Sequence, residues 1–104
     1  MEHIRQGTAL GRLLDWCREQ NATDLHGQAD KPYSIRVHGR LSWVSIEHFT
    51  PPTNEEIQGL LRENFSPPAW ARIDGQCEAD LSFYFGNHRY RANFSKQKGQ
   101  QSFS

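Results

Sequence analysis

Leu10, Leu13, Leu14 and Cys17 fall at the i, i+3, i+4, i+7 spacing of one helical face. Arg12, Asp15, Arg18 and Glu19 take the opposite face, which predicts an amphipathic helix over residues 8–20. Thr8 is its expected N-cap and Asn21 its stop, since asparagine tolerates the left-handed conformation. A short segment, Asp24-Leu25-His26, then runs through Gly27 into a polar turn. The period next drops from 3.6 to 2. Tyr33, Ile35 and Val37 alternate with Ser34, Arg36 and His38, a half-buried strand. Gly39 marks a tight turn, and Leu41 to Ile46 reads as the returning strand of a hairpin.

Pro51 and Pro52 break the chain before Thr53-Asn54-Glu55-Glu56. That is a capping box, in which a hydroxyl and a carboxylate cover orphan amides reciprocally. The helix it opens buries Ile57, Leu60 and Leu61, with Phe65 beyond. Pro67 and Pro68 end it, and a second short helix runs from Pro68 to Ile73, closed by Gly75. Ala79, Leu81, Phe83 and Phe85 then alternate with Asp80, Ser82 and Tyr84. Gly86-Asn87 is a two-residue hairpin loop with glycine first. The partner strand puts Tyr90, Ala92 and Phe94 on one face and Arg89, Arg91 and Asn93 on the other. The pattern stops at Ser102-Phe103-Ser104 in mid-strand, as expected of a piece cut from a longer protein. This order of elements predicts one α+β domain over residues 1–104, an antiparallel sheet with helices packed on one face.

Composition sharpens the picture at one place. The 12 basic and 12 acidic residues cancel, yet Asp80 is the last acid, and Arg89, Arg91, Lys96 and Lys98 follow it. A local positive field of that kind suits an anion, or else guards a sheet edge against aggregation. Side chains at i and i+2 lie roughly 6.5–7 Å apart, so two guanidinium forks can hold neighbouring oxygens of one polyphosphate. Single-stranded RNA could use the same row with Tyr84 or Tyr90 as a stacking platform, but no RNP-type pattern is present.

Other chemistry is poorly supported. The eight glycines form no phosphate loop, and the five histidines show no H-x-x-x-H or H-E-x-x-H spacing. No catalytic residue and no metal site is expected. Cys17 lies on the apolar stripe, Cys77 stands beside Glu78, and neither belongs to a CxxC pair. Reduced thiols, no signal peptide and no apolar run long enough for a membrane span predict a cytoplasmic chain.

Three segments in order resemble the PilT/GspE-type secretion ATPases, the motors of type IV pilus retraction and of type II and Dot/Icm-like type IV secretion. Ala22-Thr23-Asp24-Leu25-His26 is similar to their A-S-D-L-H segment. Ser34-Ile35-Arg36-Val37-His38-Gly39-Arg40-Leu41 is similar to the M-x-R-V-D-G-x-L hairpin. Glu78 to Phe83, Arg89 to Phe94 and Gln97-Lys98-Gly99 resemble E-x-D-x-S-F, R-F-R-V-N-x-F and Q-R-G. The resemblance implies a PAS-like N-terminal domain, followed in the family by a RecA-like domain that carries the phosphate loop. It further implies a homo-hexameric parent that uses ATP and Mg2+ and meets an inner-membrane platform protein from the cytoplasmic side. Arg89, Arg91 and Lys98 then correspond to contacts with nucleotide phosphates. Asp24, Leu25, His26, Arg36 and Gly39 correspond to structural positions, with Asp24 satisfying local amides. Lys98 stands where the family has arginine, and a lysine offers no bidentate fork. By itself the domain is expected to bind no nucleotide or nucleic acid, and to be a monomer or weak dimer. A free-standing PAS-like ligand-binding or signalling module is the alternative reading.

Overall fold

The computed structural model describes residues 2–97 and 100–103. In chain order the elements are β1 (Glu2–Ile4), α1 (Ala9–Glu19), β2 (Ala22–Gln28), β3 (Ser34–Val37), β4 (Arg40–Trp43), α2 (Asn54–Asn64), α3 (Pro67–Gly75), β5 (Glu78–Phe85), β6 (His88–Gln97) and β7 (Gln100–Phe103). The strands form one seven-stranded sheet, ordered β1-β5-β6-β7-β2-β3-β4. The domain is α+β, with the three helices on one face of the sheet.

Each helix starts where its cap residue dictates. The Thr8 hydroxyl accepts from the Gly11 amide at 3.2 Å. Thr53 and Glu56 complete the capping box, at 3.1 Å in both directions. Ser66 caps α3, which begins at Pro67, one residue earlier than the proline pattern suggests. Asn21 takes a φ of 60° just past α1 and turns the chain into β2. His38 and Gly39 both have positive φ, 50° and 79°, the signature of the mirror-image turn that matches strand twist.

The core lies between sheet and helices. Leu10, Leu13, Leu14 and Cys17 from α1 and Ile57, Leu60 and Leu61 from α2 are all buried. They meet Ile35, Phe83, Phe85, Phe94 and Phe103 from the strands. Phe65, just beyond α2, stands edge-on to both Phe83 and Phe94, with centroids 5.7 Å apart in each case. Gly11 is required by close approach: a Cβ there would lie 2.5 Å from the Arg5 carbonyl oxygen and 3.3 Å from the Phe85 ring.

Three features depart from the sequence reading. β1 carries no periodic pattern, yet it joins the sheet beside β5 and is parallel to it, so the sheet is antiparallel in every pair but this one. It is held by Glu2, whose carboxylate accepts from the Ser66 amide at 2.7 Å and hydroxyl at 2.9 Å. The segment around Asp24 is a full seven-residue strand with a bulge between Ala22 and Asp24. The alternation after Leu41 supports a strand only to Trp43; Val44 tucks into the core, while Leu41, Trp43 and Ile46 are exposed. Among the described residues no helix is long and apolar enough to cross a membrane.

Burial fixes the chemistry of two core groups. The Cys17 thiol is pushed up to about 12 by burial, and the Tyr33 phenol is also pushed up to about 12, by burial first and the Glu56 charge second. Both groups are therefore neutral in the folded state when their unfolded counterparts begin to ionise. Their contribution to stability is complete below about pH 9, and is lost as pH rises from there towards 12. Urea midpoints are expected to fall steadily between pH 9 and 11. At pH 8 a maleimide should label exposed Cys77 rapidly and Cys17 only on unfolding. Equal labelling of both thiols would contradict this.

Candidate functional site: an unpaired arginine pair on strand β6

The register of the β5–β6 hairpin decides which way the cations point. Arg89 lies opposite Tyr84, Arg91 opposite Ser82 and Asn93 opposite Asp80. The alternate residues face the helices. Tyr90 stacks on Phe83 at 5.3 Å with planes 10° apart, and Phe94 is buried. Arg89, Arg91 and Asn93 therefore project together from the sheet face that carries no helix, and both arginines are exposed.

Among the described residues no carboxylate forms an ion pair with either arginine. Among the described residues the ion pairs are Arg36–Asp24 and Lys96–Asp74, and neither arginine of the row takes part in one. Asp80, the carboxylate closest in register, instead accepts a hydrogen bond from the Asn93 amide at 3.1 Å. Asn93 thus engages the acid beside the row, and neither guanidinium group takes part in an ion pair among the described residues. Tyr84 shares this face and stacks on His3 at 5.5 Å, which walls one end of the row.

Lys96 does not extend the row. Strand alternation sends it to the helix side, where its ammonium lies 2.7 Å from the Asp74 carboxylate of α3. The run of unopposed cations in the sequence is thereby shortened by an acid that precedes it in the chain. Lys98 lies outside the described residues.

The remaining motif residues form a small structural knot. Asp24 pairs with Arg36 at 3.7 Å and accepts from the Thr23 hydroxyl at 2.9 Å, side chain to side chain rather than through local amides. Arg36 also donates to the Gly39 carbonyl at 3.0 Å, which ties the hairpin turn to β2. Leu25 packs against the core; His26, half-buried, points to the helix-free face with Ser34 opposite it. Among the described residues no three of His, Cys, Asp and Glu converge as a metal site would require.

No family model matches the chain, and no curated protein matches it either. Solved structures do. The pilus retraction motor PilT, in a structure with bound ADP, is similar over 94% of this chain and 28% of its own, with 25% identity and a TM-score of 0.74. The Legionella pneumophila ATPase DotB is similar over 99% of this chain and 31% of its own, with 20% identity and a TM-score of 0.68. This chain thus spans less than a third of either protein. Its structural neighbours are pilus and secretion ATPases, and the chain is consistent with an N-terminal domain of that family.

Proposed function

We propose that this chain is the regulatory and assembly domain of a hexameric ATPase that drives pilus retraction or secretion, and that Arg89 and Arg91 reach the phosphates of a nucleotide held on a RecA-like domain. The observation that carries the proposal is the exposure of both guanidinium groups, neither in an ion pair among the described residues, on a fold similar to that of an ADP-bound motor. Leaving two like charges side by side without a counter-ion costs repulsion, and a polyphosphate relieves it. The chain has no phosphate loop, so the bound ATP and its Mg2+ belong to the rest of the parent. The arginines would stabilise charge on the terminal phosphates and favour a closed arrangement of the two domains. Assembly in a ring at the cytoplasmic face of a membrane, against a platform protein, follows from the same reading.

The ligand-binding alternative draws on an apolar cavity between sheet and helices. At about 140 Å³ it is well below the ~300–1,000 Å³ of typical small-molecule sites, and a second cavity of about 350 Å³, lined by Leu13, Tyr33, Phe49 and Leu60, lies at the lower end of that range. RNA stacking loses Tyr90, whose ring lies against Phe83. Arg91→Lys in the full-length parent tests the clamp. Lysine keeps the charge and loses the bidentate fork. ATP turnover is expected to drop at least tenfold with the melting temperature unchanged. Turnover at the wild-type rate would remove the arginine row from the mechanism.

A further inference from the structure

On the side of the sheet away from the arginine row, a cavity of about 350 Å³ lies where α1, α2 and the segment after β4 meet. Leu13 of α1 and Leu60 of α2 are buried and form its apolar floor, and the half-buried Phe49 forms one wall. Tyr33 also lines the cavity, and only 5% of that residue is exposed. Its ring stands edge-on to Phe49, with centroids 6.4 Å apart. Among the described residues its hydroxyl makes no hydrogen bond. A buried hydroxyl without a partner destabilises the fold, so one that lines a cavity calls for a polar group inside it. Burial keeps the phenol neutral at physiological pH, and its O–H therefore remains a donor.

The mouth of the cavity carries both signs of charge. Arg12 and Glu56 line it and are exposed, yet among the described residues neither takes part in an ion pair. Arg12 places one N–H donor of its guanidinium on the Gly7 carbonyl at 2.9 Å, which leaves the rest of the fork for other acceptors. Glu56 turns one oxygen to the Thr53 amide, and its other oxygen accepts no hydrogen bond among the described residues.

We propose that this cavity is a binding site for a small zwitterion, an α-amino acid with an apolar side chain. Its side chain covers the Leu13 and Leu60 floor. Its carboxylate takes the Arg12 fork and the Tyr33 hydroxyl, and its ammonium lies against Glu56. A lone acid would set an anion beside Glu56, and a lone amine would set a cation beside Arg12, so the two signs together select a molecule that carries both. The inference is independent of the nucleotide reading, because the arginine row leaves the sheet on its other face.

Titration of the chain with L-phenylalanine, followed by amide NMR, tests this against phenylacetate, which lacks the amine, and phenethylamine, which lacks the carboxylate. L-Phenylalanine is expected to shift the amides of Leu13, Phe49 and Leu60, and to bind at least tenfold more tightly than either analogue. Arg12→Gln and Glu56→Gln should each weaken it at least tenfold. Glutamine at position 56 still completes the capping box, so α2 keeps its start. Tyr33→Phe separates a binding role from a structural one. It should weaken binding severalfold and leave the melting temperature unchanged or higher, because the hydroxyl it removes has no partner in the fold. Equal binding of the three compounds, no shift with L-phenylalanine, or a lower melting temperature for Tyr33→Phe would each overturn the proposal.

Discussion

Phe85→Ala is expected to cost the domain about 3–5 kcal/mol. Phe85 is 1% exposed and is the largest of the fully buried side chains. Its ring meets Gly11 of α1, where no Cβ intervenes, and its backbone is paired with Ile4 of β1 and His88 of β6. Truncation would leave a cavity that Gly11 has no side chain to fill. The contact between α1 and the sheet would loosen with it. A domain of this size has about 5–15 kcal/mol in total, so the loss is a large share of its stability. The melting temperature should fall by roughly 15–30 °C. Leu41→Ala provides the contrast. Leu41 is 51% exposed, and its replacement should stay within about 0.5 kcal/mol. Urea unfolding followed by tryptophan fluorescence measures both. Similar losses for the two variants would mean that the helix layer does not pack as described.

Arg91→Ala is expected to lower ATP turnover of the full-length parent by about 10²–10³-fold, the range found when one charge-stabilising donor is removed. The domain itself should not notice. Arg91 is exposed and takes part in no ion pair among the described residues, so its stability cost should stay within about 0.5 kcal/mol. The split between these two readouts is what separates a functional arginine from a structural one. Arg36→Ala should show the reverse, because Arg36 holds both Asp24 and the Gly39 carbonyl. Steady-state turnover and thermal melts on the same preparations decide the matter. A structural loss at Arg91 equal to that at Arg36 would contradict the assignment.

The sequence disclosed those elements whose pattern is local. The apolar stripe of α1, the capping box at Thr53 and the parity of Phe83, Phe85 and Phe94 each lie within a dozen residues, and each is found as the pattern predicts. β1 escaped notice because three residues cannot display a period, and its partner β5 lies some eighty residues away. The length of β2 escaped notice because its bulge and Gly27 interrupt the alternation. The arginine row was legible as geometry, since strand alternation alone puts Arg89 and Arg91 on one face. That neither arginine forms an ion pair among the described residues was not legible, because a carboxylate could have come from any element. Lys96 shows that risk realised: Asp74 reaches it from α3, an acid twenty-two positions earlier in the chain.

The full-length parent, its structure determined with a non-hydrolysable ATP analogue bound, tests the arginine clamp most directly. The clamp predicts a guanidinium nitrogen of Arg91 within about 3 Å of a phosphate oxygen, with Arg89 on the same side of the nucleotide. An Arg91 that remains in solvent more than about 8 Å from any phosphate, beyond the reach of a screened charge, would contradict it.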